Sequence, residues 1–219
     1  MIELLKDFIK KILYKFGWKF SINWEERARL LGADSVYDSR TLQKDKTKTT
    51  EEQSLVYSKI ISEELPVSSV KTVLDYGCGI GRHFSFLSTL DCLDDNAKIV
   101  GFDPTSDLLN LAANKGYSKV VSHFDKQSHW DLIFVHMVLG GLSENVMVAA
   151  IENMAKSLNV NGSIVLVEAV DNENTRLHTP WKVRSENAYK LFPEYIKWSR
   201  KGSVRESGDT LCILLGRRA

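Results

Sequence analysis

Five short apolar runs, spaced by helical patterns, constrain the fold of this chain more than any other feature. They are VKTVLDY, AKIVGFD, SKVVSHF, WDLIFVHMVL and GSIVLVEAV, all between residues 70 and 170. A strand with one wet face alternates apolar and polar residues. These runs are apolar nearly throughout, which calls for strands covered on both faces. Helices expected near 82–90, 105–115 and 144–158 supply the covers, so the pattern predicts an α/β domain built on a parallel sheet. Further on, EYIKWSRKG and TLCILLGRR, joined by the turn-rich SVRESGD, read as an antiparallel hairpin closing one sheet edge. The 219 residues suffice for one such domain and a modest extension, divided here into 1–69 and 70–219.

Residues 1–20 read as a basic amphipathic helix. Ile2, Leu5, Ile9, Ile12, Leu13 and Phe16 form one apolar face, with Lys6, Lys10, Lys11, Lys15 and Lys19 among or opposite them. Such a helix suits peripheral contact with an anionic membrane surface, or packing on its own domain or a second subunit. The lysines interrupt any signal-peptide core, and no stretch reaches the ~20 apolar residues that span a bilayer. The expected location is therefore the cytoplasm, with the inner membrane surface as a peripheral site. Cys78, Cys92 and Cys212 include no CxxC pair, so neither a metal site nor a disulfide framework is expected. A net charge of +1 gives no overall field toward nucleic acid. A helix is expected around Trp24 to Leu31, an exposed loop over TLQKDKTKTTEEQ, and a helix over TTEEQSLVYSKIISEEL.

The first strand runs into a glycine turn, VLDYGCGIGRHF, with Gly77, Gly79 and Gly81 spaced G-x-G-x-G. A dinucleotide fingerprint would place its third glycine at position 82, which holds Arg82, and no GK[ST] follows, so this is not a phosphate loop. Asp75, two residues before the turn, would repel a pyrophosphate and suits a ligand with an ammonium group. The second strand ends at Asp103 in GFDP, where a carboxylate can accept hydrogen bonds from both ribose hydroxyls. A ribose nucleoside with a cationic amino-acid tail and no phosphate describes S-adenosylmethionine.

On LDYGCGIGR followed by GFDP, residues 70 to 219 resemble the class I S-adenosylmethionine-dependent methyltransferases. WDLIFVHMVLGGL resembles that family's fourth strand and following turn, NVNGSIVLVEAV its fifth strand, and the final hairpin its reversed last strand. The resemblance implies a Rossmann-like three-layer α/β/α sandwich. Its seven-stranded sheet would be mostly parallel with an antiparallel last strand, preceded by an N-terminal helical extension acting as a lid. It also implies that Asp75, Tyr76, Gly77, Cys78 and Gly79 hold the methionine part of the cofactor, Asp103 the ribose, and Pro104 and Phe124 the adenine. Cys78 reads rather as a small buried group in a tight turn, as free cysteines commonly do.

Methyl transfer from a sulfonium is an in-line displacement governed by positioning, and needs a base only if the acceptor must lose a proton. His136, ending the fourth strand, and Glu168, near the end of the fifth, are the catalytic candidates. Alternatively His136 orients the cofactor and Glu168 caps a loop, while His83 and His129 are structural or exposed. No [DN]PP[YF] motif is present, and Arg200, Lys201, Arg205, Arg217 and Arg218 read as a solvated sheet edge, so nothing supports a nucleic-acid acceptor. NWEERARLLGADSV and VRSENAYKLF resemble segments of bacterial methyltransferases of unassigned or surface-glycan-related function. That likeness implies Trp24 and Arg27 closing over the cofactor and Arg184 meeting an anionic acceptor; otherwise the arginines pair with Glu25, Glu26 or Glu186. The expectation is O-methylation of a sugar, a glycan-linked metabolite or another small molecule. A non-catalytic cofactor-binding regulator, an RNA or protein methyltransferase, and a dinucleotide oxidoreductase are the alternatives.

Overall fold

The computed structural model describes residues 6–10, 23–37, 45–170, 177–178, 181–190, 193–206 and 209–219. Seven strands form one sheet: β1 (Val70–Tyr76), β2 (Leu93–Phe102), β3 (Lys119–Val121), β4 (Trp130–His136), β5 (Leu158–Ala169), β8 (Ile196–Glu206) and β9 (Asp209–Arg218). Their order is β3-β2-β1-β4-β5-β9-β8, and a separate two-stranded ribbon pairs β6 (Leu177–His178) with β7 (Trp181–Lys182). The first five strands pair in parallel, whereas β9 lies antiparallel between β5 and β8. The expected reversed strand is thus inserted, and the strand before it in the chain takes the edge.

Both faces of the sheet are covered, which explains the continuous apolar runs. On one face Val73, Leu132, Phe134, Val165, Val167 and Ile213 meet Tyr57 and Ile61 of α2 (Lys46–Glu64) and Phe86 and Leu87 of α3 (Phe84–Leu87). On the other, Leu74, Ile133, Val135, Ile164 and Leu166 meet Met147, Ile151 and Met154 of α5 (Glu144–Ser157). Three further α-helices are α1 (Trp24–Leu31), α4 (Ser106–Ala112) and α6 (Glu186–Tyr189). Asn23 caps α1 by accepting from the Glu26 amide at 3.0 Å, and Glu25 and Glu26 complement its N-terminal dipole.

The helix expected over residues 49–65 is present as α2 and begins at Lys46, inside the loop expected over 41–53. Its buried positions are Lys46, Gln53, Tyr57 and Ile61, and the first two are polar, so hydropathy does not mark the start. Tyr57 and Ile61 are wholly buried against the sheet, so α2 packs directly on residues of the 70–219 part. Of the helix expected over 1–20, residues 6–10 are helical, and the rest lie outside the described residues. That short stretch is tied to α1 by ion pairs, Arg29 to Asp7 at 2.8 Å and Lys10 to Glu26 at 2.5 Å. Among the described residues no helix is long and apolar enough to cross a membrane.

Candidate active site

The carboxyl ends of β1, β2 and β4 converge on the glycine turn. Gly77, Gly79 and Gly81 have φ of +74°, +54° and +74°, a region that L side chains rarely enter. A Cβ on Gly77 would lie 2.4 Å from Val138 Cγ2, and one on Gly79 2.8 Å from Val36 Cγ1. The turn is thus a backbone cradle pressed on by residues from β4's far end and from the N-terminal segment. Replacing Gly77 with alanine is expected to lower the thermal midpoint and weaken cofactor binding together. Adding Val138→Ala should restore part of the loss, because it removes the clash but not the backbone strain of about 1–2 kcal/mol. Thermal unfolding with and without S-adenosylmethionine reads both effects; an unaltered Gly77→Ala midpoint would refute this account of the turn.

Two acids flank the cradle. Asp103 is buried and uses Oδ2 to accept from the Gly79 amide at 3.0 Å and Oδ1 to accept from the Thr105 amide at 2.8 Å. Each carboxylate oxygen retains lone-pair capacity for a ribose hydroxyl. Burial raises the Asp103 pKa, against the pull of those amides. Asp75 lies beneath the turn, where Oδ2 accepts from the Tyr117 hydroxyl at 2.5 Å. Burial pushes its pKa up to about 7, opposed by the Tyr117 bond and assisted by the Asp103 charge. Cys78 is buried with Sγ against Gly101, and burial raises its thiol pKa, as befits a small packing group. Tyr76 packs its ring on Phe102 and Phe124, at centroid distances of 4.9 and 5.7 Å, so its side chain belongs to the core. Phe124 is partly buried at the rim of this trio and Pro104 is exposed. Asp125 is engaged by its own turn, accepting from Gln127 N and Ser128 Oγ.

Glu168 caps the turn after β4, the alternative to a catalytic role, and Arg184 bonds to the same turn. Glu168 Oε1 accepts from the amides of Val138 and Leu139 at 2.7 and 2.6 Å, and Oε2 from Gly140 at 3.3 Å. Burial raises its pKa to about 7 despite those bonds and nearby Arg184. Arg184 donates to the carbonyls of Leu139 and Leu142, both at 2.8 Å, and is itself buried. Together they grip the turn after β4, one through its amides and the other through its carbonyls. That turn needs holding: Met137 has φ +52°, and Val138 supports Gly77. Arg27 has a similar task, donating Nε to Ser35 O at 2.8 Å and Nη2 to Tyr37 O at 3.3 Å, with Trp24 beneath its guanidinium. It therefore shapes the 3₁₀ turn Gly32–Val36 that lies on the cradle. A cavity of about 430 Å³, lined by Asn23, Glu25, Arg29, Thr105 and Asp107 among others, separates α1 from the start of α4, just beyond Asp103.

His136 is buried on the α2 side of the sheet. Its Nε2 meets the Tyr57 hydroxyl at 3.0 Å and lies 3.9 Å from Glu206 Oε2. Its pKa is held well below the usual imidazole value by burial and by Arg82, and that of His83, 4.4 Å away ring to ring, is depressed likewise. Gln53, Tyr57, Arg82, Tyr117 and Glu206 escape sequence reasoning, and only Arg82 carries a signal, as the residue replacing a dinucleotide glycine. Among the described residues no group of His, Cys, Asp and Glu is arranged to hold a metal ion.

The positive-φ cradle, free of any lysine-bearing phosphate loop and followed by a buried acid at the end of β2, fits S-adenosylmethionine. Comparison with known proteins agrees. A family profile described as "Tellurite resistance protein TehB" matches residues 40–206. Among solved structures, the N-methyltransferase NodS from Bradyrhizobium japonicum is 20% identical with a TM-score of 0.59, covering 80% of this chain and 98% of that one. A Leishmania major S-adenosylmethionine-dependent methyltransferase is 19% identical with a TM-score of 0.68, covering 90% and 81%. CalS10, an amino pentose methyltransferase from Micromonospora echinaspora, is 14% identical with a TM-score of 0.59, covering 80% and 94%. No curated protein matches the chain. With a family match across most of its length and a sheet, cradle and acid pair that agree with it, the chain belongs to the TehB family and is an S-adenosylmethionine-dependent methyltransferase.

Proposed function

We propose that the acceptor is a small molecule that presents a lone pair at neutral pH and loses no proton to the protein. The observation that carries this reading is the absence of an available base at the two expected positions. Glu168 spends its carboxylate on three amides, and His136 is enclosed with its Nε2 against the Tyr57 hydroxyl. A sugar hydroxyl is a poor nucleophile until deprotonated, so O-methylation of a glycan fits this site badly. A chalcogen oxyanion such as tellurite fits better, and the family's description as tellurite resistance proteins supports the same choice. In that reaction the chalcogen lone pair forms the new bond to carbon. The sulfonium S–C bond breaks, and its electron pair stays on sulfur as S-adenosylhomocysteine. Asp75, the glycine cradle and Asp103 are the residues we assign to the cofactor. The free-base fraction of a weakly basic amine is the second acceptor with a lone pair, in keeping with the N-methyltransferase and amino pentose methyltransferase among the fold's relatives.

The test is release of S-adenosylhomocysteine, followed by mass spectrometry, with tellurite, selenite, an amino sugar and a neutral sugar as separate acceptors. Turnover is expected with tellurite and selenite. Turnover confined to the neutral sugar would overturn the reading, and cofactor binding without turnover on any of the four would favour a regulator.

A further inference from the structure

Arg82 ends the cofactor turn, and its guanidinium points into the protein. Its Nε donates to His83 Nε2 at 2.9 Å, Nη2 donates to Gln53 Oε1 at 3.0 Å, and Nη1 lies 3.5 Å from Glu206 Oε1. The Tyr37 ring covers it, 5.3 Å from Cζ to centroid. Gln53 closes the circuit by donating Nε2 to Glu206 Oε2 at 3.0 Å, and the same carboxylate faces His136, which meets Tyr57. One side chain thus joins the glycine turn, α2, β8 and, through Glu206, the end of β4. Apart from the partly buried Tyr37, all of these side chains are buried.

The arrangement also fixes a tautomer. A guanidinium can only donate, so His83 Nε2 must be the accepting nitrogen and the ring proton sits on Nδ1. No group among the described residues accepts from Nδ1. Arg82 and Glu206 are of opposite charge, and the two imidazoles beside them are buried, so this wall adds no unpaired cation next to the glycine turn.

We propose that Arg82 is a positioning residue for methyl transfer, tying the cofactor turn to the wall formed by Gln53, Tyr57, His136 and Glu206 and holding His83 as its Nδ1–H tautomer. The direction of its kinetic effect rests on the methyl-transfer reading above. Lysine cannot substitute, because an ammonium has neither the planar fork that reaches three acceptors nor a flat face for Tyr37.

Two variants test this in the full chain: Arg82→Lys, and the double change Arg82→Met with Glu206→Met, which leaves no unpaired buried charge and so should still fold. Histidine-selective 15N spectra read the His83 tautomer, calorimetry reads S-adenosylmethionine binding, and steady-state assays separate kcat from KM. For Arg82→Lys the expected result is a kcat about 100-fold lower, as misplacement of reacting groups produces. Cofactor affinity should stay within about threefold, since its own contacts lie elsewhere. The Nδ1–H pattern of His83 should be lost in both variants. Wild-type kcat and an unaltered tautomer in either variant would overturn the proposal. Should the wild-type protein bind cofactor yet methylate nothing, the functional reading fails instead, and the His83 spectra still decide whether Arg82 orients this wall.

Discussion

Replacing Glu168 with alanine is expected to destabilise the protein by about 2–5 kcal/mol and to abolish cofactor binding. Two effects oppose each other. Removing a buried carboxyl whose pKa stands at about 7 relieves a burial cost, worth roughly 3 kcal/mol at pH 8. Against this, three buried amides lose their acceptor, at about 1–3 kcal/mol each, and the Arg184 guanidinium loses its nearby anion. The amides win. For a chain of this size the thermal midpoint should fall by about 5–15 °C. Cofactor binding is lost with it, because the freed turn no longer presses Val138 against Gly77. Glu168→Gln separates a clamp from a general base. A clamp predicts that midpoint and cofactor affinity fall together, while a base predicts normal folding and binding with kcat near zero. Thermal unfolding and calorimetry on the two variants decide.

Asp75→Asn is expected to act in the opposite sense on stability while weakening the cofactor. The folded protein raises the Asp75 pKa from 3.8 to about 7, so between those values the folded state holds a proton that the unfolded chain has released. Stability from this group therefore declines as pH rises through that window and is lowest above pH 7. The neutral asparagine escapes the decline and can still accept from Tyr117 through its amide oxygen. The variant should match the wild type near pH 4 and exceed it by about 1–3 kcal/mol at pH 8. Burial of the neutral forms of His83 and His136 makes stability rise toward pH 6.5, but that contribution is common to both proteins and cancels in the difference. For the cofactor the sign reverses. Wild-type affinity should rise as pH passes 7 and Asp75 ionises, whereas Asp75→Asn should bind at least about tenfold more weakly with no such rise. Denaturant melts and calorimetry at pH 5 and 8 report both. A stability gap that does not widen with pH would refute the burial argument.

What could be read from the sequence was what lies in short stretches. The double-sided sheet, the cradle and the spacing from Gly81 to Asp103 are local patterns, each with one dominant physical cause. For Glu168 loop-capping was legible as an alternative, but neither its partners nor those of Arg184 were, because they are backbone groups some 28 to 45 residues away and a carbonyl has no letter in the sequence. Acidic neighbours such as Glu186 therefore looked like the natural partners for Arg184. The Gln53–Glu206 bond joins positions 153 residues apart, and its two ends lie in stretches that read as polar loop and turn. In α2 only the start of the helix was hidden, for a related reason: its first buried positions, Lys46 and Gln53, are spent on polar contacts rather than on apolar area.

The insertion of β9 between β5 and β8 also dictates an order of assembly. Residues 209–218 leave the ribosome after every other strand, yet they fill an interior slot. Until they arrive, β5 keeps an open apolar edge, β8 has no strand to pair with, and Glu206 has no fixed place beside Arg82. The nascent chain is thus exposed to edge-to-edge association at the stage when its core is otherwise complete. Completion of the sheet and completion of the wall behind the cofactor become one event.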